Sequence, residues 1–187
     1  FQAMGDGNHS LATAKTNWEN IKKTLTPEEA ENHPARYALC EIENIHDSGI
    51  VFEPIHRVLF AKNGQSGMDI VNETLELLNE QNGKAYLAAA DAEVPAGAFG
   101  IPYMAGGEKG LVIVEEPANK LEVGALQNAL DVMVKERKTC DIDYIHGLKV
   151  VENLSTQDGN AGFLLPAMDK FMLFPAVQAD GALPRKT

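Results

Sequence analysis

The sequence lacks several features that mark whole classes of protein. It has no apolar run long enough to cross a bilayer. Its two cysteines, Cys40 and Cys140, show no C-x-x-C spacing, which disfavours a zinc finger and is typical of a protein from a reducing compartment. The formal net charge is −11, so there is no broad basic face for nucleic acid or for an anionic membrane. These absences predict a cytoplasmic protein without a nucleic-acid or membrane partner.

What is present indicates an ordinary globular protein. Of the 187 residues, 44% are hydrophobic and 23% are charged, which suffices for a core without disulfides. We expect one globular unit over residues 1–187, with a flexible connector at 61–67. Helical and alternating periodicities are mixed along the chain, and this predicts an α+β fold with a mixed, largely antiparallel sheet and flanking helices. Because the chain starts in an apolar run and stops at LPRKT, we also expect a fragment of a longer chain.

Helical spacing of apolar residues predicts helices over 11–25, 68–78 and 121–138. Alternation and strand-forming residues predict strands over 35–45 and 55–60, and a glycine turn at 106–110 predicts a hairpin. In the first of these strands Cys40 is expected to be buried, whereas Cys140 follows a charged run and is expected to be accessible.

The first fifteen residues predict a reactive corner. A short apolar run leads through the glycine turn at Gly7 into a helix, and Asn8 or Ser10 is placed to cap it. A helix N-terminus favours anions, and Asp6 and His9 in the same turn supply a base and a titratable ring. The alternative is an ordinary turn before a capped helix.

Two further cationic segments are candidates for anion binding. His56 and Arg57 lie within an apolar run, where a buried arginine costs several kcal/mol unless it is paired. The alternatives are an edge strand with Arg57 in water, or a pair with Glu53. Arg185 and Lys186 form the best local cation cluster in an acidic chain, and the alternative there is a solvated tail.

Taken in order, these segments resemble the DUF1015 family of proteins of unknown function. The family's D-G-H-H-R turn corresponds to Asp6–Ser10, its P-x-H-R strand to Pro54–Arg57, its D-Y-x-H strand to Asp143–His146, and its final loop to Pro184–Thr187 after Leu164–Pro166. Family members are about twice as long as this chain, so the resemblance implies that it is the C-terminal part.

The turn departs from the family pattern, because Asn8 replaces a histidine and Ser10 replaces an arginine that would make a bidentate phosphate contact. The same turn resembles the nucleotide-binding turn of the ParB and sulfiredoxin superfamily, which implies that it holds nucleotide phosphates. The family is often encoded beside enzymes of the phosphorylated serine pathway, which implies serine or phosphoserine chemistry.

These implications combine into one hypothesis and two alternatives. We expect a phosphorylated small metabolite or a nucleotide with Mg²⁺ as ligand, and phosphoryl transfer or phosphate-ester hydrolysis as the reaction. The expected catalytic residues are Asp6, His9 and His56; the phosphate-binding residues are Gly7, Asn8, Ser10, Arg57, Arg185 and Lys186; and the remaining pocket residues are Tyr144 and His146. The alternatives are a non-catalytic nucleotide or metabolite sensor, and a metal-dependent hydrolase with Asp6, His9, His56 and His146 as ligands.

Overall fold

One antiparallel sheet of six strands organises the structure, which is a computed structural model describing residues 4–5, 7–180 and 186, with the backbone alone at 179 and 180. The strands are β1 (Ile55–Ala61), β2 (Lys84–Ala89), β3 (Phe99–Ala105), β4 (Glu108–Glu115), β5 (Cys140–His146) and β6 (Asn160–Phe163). Their order across the sheet is β2-β4-β3-β6-β1-β5, and every neighbouring pair is antiparallel. The predicted α+β class with a largely antiparallel sheet is therefore confirmed.

Helices flank this sheet and precede it in the chain. They are α1 (Asn8–Lys22), α2 (Pro27–Asn32), α3 (Gly67–Gln81), α4 (Glu122–Asp131), α5 (Leu148–Ser155) and α6 (Leu173–Asp180). A π-helical turn over Val132–Arg137 extends α4, and 3₁₀ turns occupy Pro34–Arg36 and Lys170–Met172. No helix in the described part of the chain combines the length and apolar character needed to cross a membrane.

Both faces of the sheet are covered. Leu59, Ala161 and Phe163 are fully buried on the face against which α3 and α4 pack. Successive strand residues point to opposite faces, so Gly162 lies on the other one. A Cβ atom there would come within 2.4 Å of the Ser155 Oγ atom, which shows how closely α5 packs on β6. Residues of β1 therefore alternate between two different packing environments.

The segment before β1 has few buried side chains. The predicted strand over 35–45 is wrong: after the 3₁₀ turn, residues 37–44 have no regular secondary structure and no strand partner, and Cys40 is exposed. Strand-forming side chains favour a strand only when a neighbouring strand pairs with it, and none does here. Closer to β1, the chain is linked to the 3₁₀ turn at Lys170–Met172. There the Lys170 Nζ atom donates to the carbonyls of Asp47 at 2.7 Å and Ile50 at 3.0 Å.

Candidate functional site

Arg57 is a buried arginine in a strand that is paired on both sides. Its Cα atom lies opposite Phe163 of β6 and Tyr144 of β5, and only 1% of its surface is exposed. The alternative of an edge strand with Arg57 in water is therefore wrong. A guanidinium in this position needs polar partners, because burying a charge without them costs several kcal/mol.

Within the described part of the chain, polar groups from β1, α4 and the residue Lys186 contact the guanidinium. The Arg57 Nε atom donates to the Gln127 Oε1 atom of α4 at 3.3 Å. The Nη1 atom donates to the Ile55 carbonyl, and the Nη2 atom donates to the Lys186 carbonyl at 2.8 Å. The ring of Tyr144 adds a cation–π contact, with its centroid 5.1 Å from Cζ.

A chain of hydrogen bonds connects Arg57 through α4 to the protein surface. Gln127, itself only 4% exposed, donates from Nε2 to the Asp131 Oδ1 atom at 2.8 Å. The second carboxylate oxygen of Asp131 accepts from the Lys135 Nζ atom at 2.6 Å. These three side chains are spaced four residues apart, which places them on one face of the helix. A buried cation is thus linked through an amide to an exposed ion pair.

Arg57 also lines a pocket of about 170 Å³. Apolar side chains form most of its walls, and the charged lining residues are Arg57, Glu122, Asp169 and Lys186. Among the residues that the structure describes, the lining consists of Ile55, Arg57, Leu121, Glu122, Val123, Leu165, Pro166, Ala167, Met168, Asp169, Met172 and Lys186. An apolar pocket with a few polar groups is the usual form of a small-molecule site, although sites for drug-sized ligands are larger, at about 300–1,000 Å³.

His56 has a different environment from its neighbour Arg57. Adjacent strand residues point to opposite faces, and His56 is not among the pocket-lining residues. Its Nδ1 atom accepts a hydrogen bond from the backbone N–H of Leu165 at 3.2 Å. Burial lowers the pKa of His56, and the charge of Arg57 and nearby His146 lower it further. The neutral ring therefore fixes the backbone of a residue in the pocket wall.

The glycine turn lies at the start of an exposed helix. Gly7, with φ of 80°, occupies the N-cap position, so the prediction that Asn8 or Ser10 caps the helix is wrong: both lie in its first turn. His9 is exposed in the same turn, and α1 packs against the 3₁₀ turn at Pro34–Arg36. None of the residues 7–10 lines the pocket.

The structure thus brings together Arg57, Tyr144 and Lys186 from the predicted set. It places His56 on the other side of β1 and His146 at the exposed end of β5. Asp6 and Arg185 lie outside the described residues. Across the described ranges, no three His, Cys, Asp or Glu side chains form a group that could hold a metal ion.

Sequence reasoning missed three residues of this region, namely Gln127, Glu122 and Asp169. The available signal for Gln127 was a polar residue within the apolar run LEVGALQNALDVMV, together with a buried arginine elsewhere that required a partner. Glu122 and Asp169 gave no signal, because a charged residue in the first turn of a helix or beside a 3₁₀ turn is ordinary capping chemistry.

The chain matches a family model. A family model described as "Protein of unknown function (DUF1015)" matches residues 2–133, which include β1 with Arg57 and α4 with Gln127. The segments 143–146, 164–166 and 184–187 lie beyond the matched residues. No curated protein and no solved structure matches the chain.

Proposed function

This chain belongs to the DUF1015 family of proteins of unknown function, and we propose that it binds a small phosphorylated metabolite in the pocket lined by Arg57. The observation that carries the proposal is a buried guanidinium that reaches a pocket with otherwise mostly apolar walls. Arginine presents planar, directed N–H donors that match the oxygens of a phosphate group.

The contact between Arg57 and the Lys186 carbonyl indicates how a ligand would enter. Lys186 is exposed and also lines the pocket, so we take its carbonyl as the partner of the guanidinium that a ligand would displace. A phosphate group carries a full negative charge and often accepts two parallel bonds from one guanidinium, whereas a backbone carbonyl is neutral and offers a single oxygen. We expect a phosphate oxygen to replace the Lys186 carbonyl on Nη2, while Gln127 and Ile55 keep their contacts.

The size of the pocket favours a small metabolite over a nucleotide. A volume of about 170 Å³ is below the usual range for drug-sized ligands, so the base and ribose of a nucleotide would extend outside it. Serine and phosphoserine, which the family resemblance implies, belong to the size class that fits. Binding of a nucleotide with Mg²⁺ remains a prediction that the same experiment tests.

Binding without turnover is the form of the proposal that the geometry supports best. Of the predicted catalytic residues, His9 and His56 do not line the pocket and Asp6 lies outside the described residues; the described lining residues include no histidine. Among the described lining residues, the carboxylates of Glu122 and Asp169 are the groups that could serve as general base. Phosphoryl transfer and ester hydrolysis, like the phosphate-binding role of the turn at Gly7–Ser10, remain predictions.

Thermal unfolding with a ligand panel tests the proposal. The panel is inorganic phosphate, serine, phosphoserine, ADP, ATP and CTP, each with and without Mg²⁺. At a ligand concentration of about 100 Kd the stabilisation is about 2.7 kcal/mol, which raises Tm by roughly 5–10 °C in a chain of this size. We expect phosphoserine or phosphate to raise Tm, and serine alone to have a smaller effect.

Arg57→Gln should abolish the rise in Tm, whereas Arg137→Gln should retain it. Arg137 is the matched control, because its guanidinium bonds to Glu73 and Glu76 at the surface. Since Arg57→Gln can lower the stability of the free protein, Lys186→Gln at the exposed side of the pocket provides a second variant, with a reduced rise expected. The proposal is refuted if no phosphorylated ligand raises Tm, or if folded Arg57→Gln responds as the parent does.

A further inference from the structure

Gln127 joins two groups of opposite hydrogen-bonding character. A guanidinium only donates, and a carboxylate only accepts. The Gln127 side chain accepts from Arg57 Nε at 3.3 Å and donates to Asp131 Oδ1 at 2.8 Å, so each end of the amide has its complementary partner. These two bonds fix the orientation of the amide, with Oε1 toward the arginine.

Few other side chains can take this position. Glutamate would still accept from Arg57, but it would face the Asp131 carboxylate without a proton to donate. Methionine has a similar length and would bond to neither group. Because Gln127 is almost completely buried, water cannot readily replace a lost partner.

Gln127 contacts a different edge of the guanidinium from the partners that line the pocket. It bonds to Nε, whereas Ile55 and Lys186, which bond to the Nη atoms, both line the pocket. Gln127 itself does not line the pocket. Gln127 can therefore act on a ligand indirectly, through its contact with Arg57.

We propose that Gln127 is a positioning residue that fixes the Nε edge of Arg57 and thereby presents the Nη edge to an oxyanion in the pocket. This inference rests on the proposed phosphate-binding function. Fixing a flexible side chain before binding improves affinity, because the ordering cost is already met in the free protein.

Two variants separate positioning from charge. In Gln127→Met the guanidinium loses its Nε acceptor, and we expect the affinity for phosphoserine and inorganic phosphate to fall about five- to tenfold, the effect of one lost hydrogen bond. In Gln127→Glu the acceptor is kept, but the added negative charge neutralises the arginine, so the affinity should again fall. Asn128→Met is the matched control, since Asn128 is an exposed amide on the same helix, and its affinity should equal that of the parent.

A spectroscopic readout distinguishes these effects from general loss of stability. The Nε–H signal of Arg57 in ¹H–¹⁵N spectra is assigned by its absence from Arg57→Lys, and its exchange with water is measured without ligand. We expect slow exchange in the parent, Asn128→Met and Gln127→Glu, and faster exchange in Gln127→Met. A merely structural role for Gln127 would lower Tm without this selective change.

The possible failures are distinguishable. If the parent binds phosphoserine or phosphate and folded Gln127→Met binds it within twofold of the parent, this inference is overturned while the proposed function stands. Unchanged Nε–H exchange in Gln127→Met also overturns it. If the parent binds none of the phosphorylated ligands, the proposed function fails and the positioning role fails with it.

Discussion

Gly67 is the first residue of α3 and lies where this helix touches the sheet. A Cβ atom at this position would be 2.1 Å from the carbonyl oxygen of Asn160 in β6 and 2.9 Å from its carbonyl carbon. The Cβ atom of Ala105 would be 3.1 Å away. Gly67→Ala therefore places a methyl group against backbone atoms, which no change of rotamer can relieve.

The expected cost of Gly67→Ala follows from two opposing terms. Overpacking of a well-packed interior costs about 1–3 kcal/mol, and a clash with backbone belongs at the upper end of that range. Replacing glycine by alanine in a helix recovers about 0.5–1 kcal/mol. We therefore expect the free energy of unfolding to fall by about 2 kcal/mol, and Tm by roughly 4–8 °C.

Urea unfolding followed by circular dichroism measures this change. Gly124→Ala is the matched control, because Gly124 lies in the first turn of α4 and its closest neighbour is the end of the Asn119 side chain at 3.2 Å. That side chain can move, so the control should stay within about 1 kcal/mol of the parent. If Gly67→Ala is as stable as the parent, then α3 does not approach β6 as closely as described.

Two further predictions concern titratable side chains. His56 has a pKa below its usual 6.5, so its contribution to stability is complete above about pH 6.5 and is lost as the pH falls through the folded-state pKa, with a slope of at most about 1.4 kcal/mol per pH unit. His56→Asn retains an acceptor near the position of Nδ1 and should remove this part of the pH dependence in urea unfolding between pH 7 and 5. Equal slopes in the parent and His56→Asn would contradict the assignment. Burial raises the pKa of Cys140 to about 11, whereas Cys40 is exposed, so iodoacetamide at pH 8 should add one carbamidomethyl group to the native protein and two in urea. Rapid labelling of native Cys40→Ser would show that Cys140 is accessible.

Local sequence patterns predicted several strands and helices, but periodicity alone was not sufficient, since the alternation at 35–45 does not form a strand. The predicted strand at 55–60 and helix at 68–78 agree with the structure to within a few residues, and the glycine turn predicted at 106–110 does join a hairpin, whose turn residues are 106–107. Cys40 was predicted to be buried and is exposed, whereas Cys140 was predicted to be accessible and is buried. Both errors have the same cause. Exposure depends on which segments pair, and strand formers at 35–45 do not reveal that no strand lies beside them.

The site was less predictable than the fold. The sequence indicated that Arg57 lies in an apolar run and would need a polar partner if it were buried. That partner, Gln127, is 70 residues away in sequence, and no local pattern connects the two. The expectation that His56 and Arg57 converge on one phosphate was avoidable, because the same sequence predicted a strand and strand neighbours point to opposite faces. Pocket walls formed by loops such as 165–169 have no periodicity from which to predict them.

Arg57 and His56 instead lie on opposite faces of β1 and are connected to the pocket in different ways. This difference changes how a mutation at His56 must be interpreted. Arg57 reaches the pocket itself, whereas His56 binds the backbone of Leu165 in its wall. Loss of ligand binding in His56→Ala would thus follow from a displaced wall even if His56 never touches a ligand. Only His56→Asn, which keeps the acceptor and removes the titrating ring, separates the two roles. Retained binding in His56→Asn assigns His56 to the wall, and lost binding there would return it to the chemistry of the site.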